Sequence, residues 1–367
     1  VTHQVDLLET ESALDAATPE WRRLAERAGN PFVSPEWFRS VVPDLGPGWR
    51  PAVVAVKRGG ALAGVLPFVR RHRRFGGELR LAGAELADIL QPAAAPEDEQ
   101  EVAGAVARAL PKLARGLPLR LGRVHADADW WRTLGSTRPG RRVASLGPTD
   151  ALPYVQLPSN WDEYLAGRSR SFRSQLGRKM RALRKDHEVV IRRSVDRTAV
   201  LADLEALFQL HDQRWSQRRG GTAFGPRTRD LHRRLARATA EAGWARLFVM
   251  EVDRGPVAAW YGWRLGDRML YYQAGFDPSW HRHSVGFLLL GETIHGAIDE
   301  GCREYDMLLG EEGFKARFAD RVREARSVTL ARPFSPSLLQ AGTRDLVRRA
   351  WRHLPPGTRA RIDSLRR

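Results

Sequence analysis

Alternating apolar and polar positions dominate the second half of the chain. The runs WARLFVMEVD, VAAWYGWRL and RMLYYQAGF, joined by turns at Arg254-Gly255-Pro256 and Gly266-Asp267, predict an antiparallel meander. Three stretches of 3–4 spacing come before it, at about 169–185, 197–217 and 227–242. In the first, Phe172, Leu176, Met180 and Leu183 share one face while Arg178, Arg181, Arg184 and Lys185 lie elsewhere on the wheel. HEVVIRRS predicts a strand. After the meander come a loop (DPSWHRH), a helix at about 284–300, a strand (REYDMLLG), a short helix (EEGFKARF) and a last strand (EARSVTLARP).

The first half reads as mixed α/β. HQVDLL predicts a strand, 19–28 and 35–42 predict helices, and 51–71 predicts a hairpin about Arg58-Gly59-Gly60. Strands are expected near ELRLAG, LPLRLGRV and RRVASLG, with a helix at about 98–110. The prolines of TDALPYVQLPSNWDEY suggest a boundary, giving expected domains 1–157 and 158–332 and a basic C-terminal helix and tail, 333–367.

Composition narrows the function classes. The chain has 367 residues, of which 43% are hydrophobic, enough for a substantial core. No apolar run reaches the ~18–20 residues of a membrane span. The acidic N-terminal stretch lacks an apolar signal region, so the expected address is the cytosol. A lone Cys302 excludes internal disulfides and cysteine zinc sites. The net charge is +17, and only five of the 60 basic residues are lysine. The excess sits in three stretches: 168–193, 344–367, and Arg70, Arg71, Arg73 and Arg74. Such patches suit a polyanionic partner; solvated helix faces are the plainer reading.

The order β-α-α-β-β-β-α-β-α-β in the second half is similar to the GNAT acyltransferase fold. Three segments resemble its CelD-like branch (cellulose-biosynthesis-protein-like acetyltransferases) over about 150–332: SRSFRSQLGRKMRALRK, AGFDPSWHRHSVGFLLLGETIHGAIDEG and YDMLLGEEGFKARF. Val285 stands where the family usually has proline, and Phe314 where it has tyrosine, so Phe314 is given no catalytic role. The resemblance implies an α/β (α+β) protein of tandem GNAT-like domains with mixed, mostly antiparallel sheets. It also implies a splayed-strand cleft in the C-terminal domain, the first half being a degenerate partner domain. The same branch is related to Fem-type transferases, which take an aminoacyl group from tRNA.

Residues of that half can be read for chemistry. A helix starting at Ser284-Val285-Gly286-Phe287 presents unpaired amides and a positive dipole end, a place for a pyrophosphate. Ser284 is the expected N-cap, Gly286 permits close approach, and Arg282 and His283 add charge. The plainer reading is an ordinary capped core helix. Gln273, Gly275 and Phe276, at the end of the preceding strand, complete the expected donor site and supply a backbone amide to an oxyanion. Asp306, Glu311 and Lys315 form a second group. Asp306 reads either as half of a structural Asp–Lys or Asp–Arg pair, with Lys315 a natural partner, or as part of a catalytic group, with Asp306 or Glu311 accepting an amine proton and Lys315 holding an anion. Trp260, Trp263, Tyr271, Tyr272 and Gln273, on adjacent predicted strands, read as core or as pocket, with Trp260 and Tyr272 the expected substrate contacts; Arg170, Arg173, Arg178 and Lys179 read as an anion site or a solvated face.

Searches for dinucleotide, Walker, His-Glu-x-x-His and paired-cysteine motifs find none, and His281 and His283 lack a third ligand, so no metal is expected. The expected activity is N-acyl transfer from acetyl-CoA or another acyl-CoA to a small-molecule or glycan-precursor amine. One alternative donor is aminoacyl-tRNA. A non-catalytic alternative would use the C-terminal segment with Leu346, Val347, Ala350, Trp351 and Leu354 on a membrane or nucleic acid, although docking on its own domain is preferred and no stable membrane insertion is expected.

Overall fold

The computed structural model describes residues 3–72, 77–114, 116–136, 141–216, 224–310, 312–336, 338–340 and 343. The C-terminal segment read above as a basic helix lies outside them beyond residue 343, as does Glu311. The strands, in chain order, are β1 (His3–Leu8), β2 (Trp49–Pro51), β3 (Val53–Arg58), β4 (Ala61–Leu66), β5 (Phe68–His72), β6 (Gly77–Leu81), β7 (Ala93–Ala94), β8 (Leu119–His125), β9 (Val143–Gln156), β10 (Val189–Ser194), β11 (Ala245–Val252), β12 (Gly255–Leu265), β13 (Arg268–Phe276), β14 (Glu304–Asp306) and β15 (Arg321–Ala331). The α-helices are α1 (Glu11–Ala28), α2 (Pro35–Val41), α3 (Glu99–Leu113), α4 (Trp130–Ser136), α5 (Trp161–Ala166), α6 (Arg170–Asp186), α7 (Arg197–Ser216), α8 (Pro226–Glu241), α9 (Val285–Asp299) and α10 (Lys315–Phe318).

The chain divides into two units, one of residues up to Ala151 with the segment from Arg323, the other Leu152–Val322. The division falls inside the proline-bearing segment, but that segment is strand, not linker, because β9 runs to Gln156. Strand β15, expected with the second half, pairs antiparallel with β8 of the first unit over Ala325–Leu330.

In the first unit, β1, β3, β4 and β7 form one sheet, with Gly59 and Gly60 both at positive φ in the β3–β4 turn. The run expected as one hairpin arm breaks at Pro67, which has no N–H for a ladder. Its two halves join different sheets: β4 stays with β3, and β5 pairs with β2 and β6. Helix α1 begins at Glu11, well before the expected 19, because Thr10 caps it and accepts the Ala13 amide at 3.3 Å. Pro19 is carried inside the helix, whose Leu14, Trp21 and Leu24 are buried.

At the start of α3, Gln91 Nε2 donates to the Glu99 carboxylate at 3.1 Å, and burial pushes the Glu99 pKa up to about 7. A carboxyl with a raised folded pKa favours the fold while protonated; that stability is full below pH ~4.5 and is lost as pH rises through about 7. Glu99→Gln is therefore expected to raise the thermal midpoint at pH 8 and change it little at pH 4.5, as read by scanning calorimetry at the two pH values.

The second unit is built on the strand order β10-β11-β12-β13-β14-β9, antiparallel throughout except for the parallel β13–β14 pair. Phe172 and Leu183 of α6 and Val285, Leu288 and Ile294 of α9 pack with Phe248, Met250 and Trp260 into one core. Leu176 and Met180, on the predicted apolar face of α6, pack against it. Tyr261 points the other way, toward His232 of α8.

Candidate active site

The second unit opens where the parallel pair of β13 and β14 ends. β13 and β14 pair only over Arg268–Leu270 with Glu304–Asp306. Asp306, 5% exposed, then turns the chain. Its carboxylate accepts the Leu308 amide at 2.8 Å and Arg268 Nη2 at 3.2 Å, and Leu308 sits in the left-handed region at φ 52°. The expected strand 304–309 thus stops at Asp306, while β13 continues along β12 to Phe276. Between the diverging chains lies a cavity of about 270 Å³, lined by Trp260, Tyr271 and Gly275–Phe276 of the sheet, the first residues of α9, and Phe314 and Arg317.

A β-bulge decides which tyrosine faces this space. Tyr261 pairs with Gln273 and Gly262 with Tyr271, so Tyr272 is the extra residue on β13. Tyr271 stacks on Trp260 with centroids 5.9 Å apart. Tyr272 lies against Trp263 (4.8 Å) and against His232 (5.5 Å), whose pKa burial pushes down to about 3, leaving the ring neutral. Of the two aromatics expected as substrate contacts, Trp260 lines the cavity and Tyr272 does not; Tyr271, its neighbour among the pocket candidates, takes its place. Gln273 is likewise absent from the lining, whereas Gly275 and Phe276 belong to it.

The start of α9 closes one side. Asp277 accepts the Ser279 amide at 2.9 Å, a single 3-10 segment follows (Pro278–His283), and Ser284 enters the helix at φ 58°. Its carbonyl takes the amides of Phe287 (2.9 Å) and Leu288 (3.1 Å). Among the described residues nothing accepts the amides of Val285 and Gly286, both cavity-lining. Ser284 is not the capping side chain expected, because an N-cap needs extended backbone to reach back to the helix amides. Its Oγ instead accepts from Lys179 Nζ of α6 at 2.9 Å. Phe287 lines the cavity. Arg282 is exposed and His283 packs on Trp280 (5.3 Å) and His187 (5.6 Å), so neither is in the lining, while His281 is.

The opposite side carries Lys315 and Arg317. Lys315 is 5% exposed; its Nζ donates to the Leu309 carbonyl at 2.6 Å, lies 3.3 Å from Glu312 and sits 5.5 Å from the Tyr271 ring centroid. Of the two structural pairings read for Asp306, the one with an arginine is formed and the one with Lys315 is not, because the parallel register sets Arg268 opposite Glu304 and within reach of Asp306. Arg317, unforeseen in the sequence, lies 4.5 Å from the Phe287 ring and donates to Gln175 of α6. Arg170 is exposed, and Arg173 donates to the carbonyls of Leu165 and Ala166 at the end of α5 and of Arg168 just past it, so neither joins the cavity. The site is therefore an apolar slot with open amides, with Arg317 in its lining and Lys179 held just outside it on Ser284. Among the described residues no His, Cys, Asp or Glu group could hold a metal ion, and no helix is long and apolar enough to cross a membrane.

Residues 170–316 match the family model described as an acetyltransferase (GNAT) domain. No curated protein matches the chain. Among solved structures, FemX aligns at 11% identity and TM-score 0.59, covering 88% of this chain and 96% of that one. The C-terminal domain of a putative lysylphosphatidylglycerol synthetase from Agrobacterium fabrum aligns at 11% identity and TM-score 0.56, covering 89% and 94%. L-PGS from Bacillus licheniformis aligns at 13% identity and TM-score 0.51, covering 91% and 95%. At such identities these likenesses speak to the fold.

Proposed function

Because the chain carries a GNAT acyltransferase domain and is thereby an acyltransferase, we propose that it moves an acyl group from acyl-CoA, acetyl-CoA in the simplest case, to an amine of a small molecule or glycan precursor. The observation that carries this is the separation of β13 from the chain after Asp306, directly beside the open amides of α9. In this reading the pantetheine arm lies along β13 between Tyr271 and Phe314. The diphosphate meets the amides of Val285 and Gly286, with Lys179 and Arg317 as counter-charges. The edge of β13 beyond Leu270 offers backbone amides to the carbonyl oxygen as charge develops on it. Attack by the amine needs no enzyme nucleophile, so alignment of the two substrates supplies much of the rate.

Asp306 and Lys315 act here by position: one pins the turn after β14, the other ties the Leu309 carbonyl beneath Tyr271. Acceptance of the amine proton is the role assigned to Glu311. The first unit serves as a degenerate partner domain, and the cytosol, where acyl-CoA and tRNA occur, is the proposed setting.

Aminoacyl-tRNA as donor is the second reading, favoured by the exposed Arg170, Arg178, Arg181, Arg184 and Lys185 of α6. Calorimetric and thermal-shift titrations with acetyl-CoA, longer acyl-CoAs and bulk tRNA, at low and high salt, separate the two. Saturable binding of acyl-CoA that survives salt is expected. Binding of tRNA alone, lost steeply with salt, would transfer the role to the second donor. Lys315→Met is expected to lower kcat while leaving acyl-CoA affinity in place; an unchanged kcat would remove Lys315 from the site.

A further inference from the structure

The first unit holds a cavity of its own, of about 330 Å³, beside Trp49. Strand register crowds cations onto it. Trp49 stands opposite Arg71 on β2 and β5, and Arg71 stands opposite Glu78 on β5 and β6. Arg80, on the same face of β6 two residues on, stands opposite Arg120 of β8. Like charges facing each other across a ladder repel. The guanidinium carbons of Arg71 and Arg80 also lie 4.6 and 3.9 Å from the Trp49 ring centroid.

Two carboxylates are divided among the three guanidiniums. Glu78 is 3.4 Å from Arg71 and 3.3 Å from Arg120; Glu85 is 3.3 Å from Arg80 and 3.2 Å from Arg120. These five paired groups carry one positive charge in excess, and a further carboxylate, Asp44, lines the cavity beside them. Arg80 is only 8% exposed, and neither its Nε nor that of Arg71 has an acceptor among the described residues. Burial draws the Arg80 pKa below its ordinary value, and Arg120 and Arg71 add to the effect. A buried guanidinium with an unmet donor is costly unless an anion answers it.

We propose that this cavity binds a small oxyanion, the carboxylate or phosphate group of a ligand, seated between Arg71 and Arg80 beside Trp49. The inference stands apart from the acyl-donor assignment, since it concerns other residues in the other unit.

Full-length protein titrated with inorganic phosphate and with acetate, against chloride at matched ionic strength, tests it by calorimetry and thermal shift. One of the two oxyanions is expected to bind saturably and raise the midpoint beyond chloride, and which one does so identifies the group. Arg71→Gln leaves Glu78 its Arg120 partner and is expected to weaken binding at least tenfold with acetyl-CoA affinity unchanged. Arg71→Lys, which keeps the charge but loses the fork, is expected to weaken it several-fold and serves if the glutamine variant does not fold. Gly286→Leu, in the other unit, is expected to keep the response. No saturable binding, an effect that follows ionic strength alone, or equal binding by wild type and both Arg71 variants would overturn the proposal.

Discussion

Gly286→Leu is expected to abolish acyl-donor binding and lower turnover by at least ~10²-fold while the fold stays intact. A Cβ on Gly286 would stand 3.4 Å from Phe276 Cδ1, ordinary contact that the first carbon survives. The remaining carbons of leucine then fill the slot that Gly286, Phe276 and Phe287 line. Leucine is also the better helix former by about 0.8–1 kcal/mol, so α9 itself is not weakened. Thermal melting, calorimetric titration with acetyl-CoA and steady-state rates check the three parts separately. Wild-type affinity in this variant would show that the donor lies elsewhere.

Gly262→Ala is expected to cost about 3–5 kcal/mol and lower the midpoint of the second unit on the order of 10 °C. The new Cβ would sit 2.0 Å from the Leu270 carbonyl oxygen and 2.5 Å from Trp260 Cη2. Neither neighbour can retreat easily: Leu270 is paired on both sides, to Trp263 and to Asp306, and Trp260 is buried. Scanning calorimetry and urea unfolding measure the loss. A cost below ~1 kcal/mol would mean that the bulge beside Gly262 relaxes freely.

Much of the fold was legible because its elements obey one period each. Phe172, Leu176, Met180 and Leu183 declare α6 by spacing alone, and the meander from Ala245 to Phe276 declares itself by alternation and turn residues. What sequence reading missed involves a local rule overridden by a distant partner. Pro19 looked like a helix start, yet Thr10 already caps the helix. Met307-Leu308-Leu309 looked like strand, yet Asp306 captures the Leu308 amide and bends the chain away.

The candidate site follows the same division. Gly275, Phe276, Val285, Gly286 and Phe287 were readable because a strand, a loop and a helix start in that order bring them together. Which of the pocket candidates Tyr271 and Tyr272 faces the slot was not readable, because the inserted residue of the bulge decides it and leaves no mark in composition. Arg268 as the partner of Asp306 depends on parallel register, and Lys179 as the partner of Ser284 on how α6 packs against α9; neither is written in spacing along the chain.

Strand β15 carries a consequence for biosynthesis. The ladder partner of β8 lies on the far side of the whole second unit in the chain, so a nascent polypeptide emerging in order has every other strand of the first unit long before this one. At typical translation speeds the wait is on the order of 10–30 s. During that interval the edge of β8 is a template for mispairing, and a ribosome-bound helper or early release would matter most for the half of the protein that is made first.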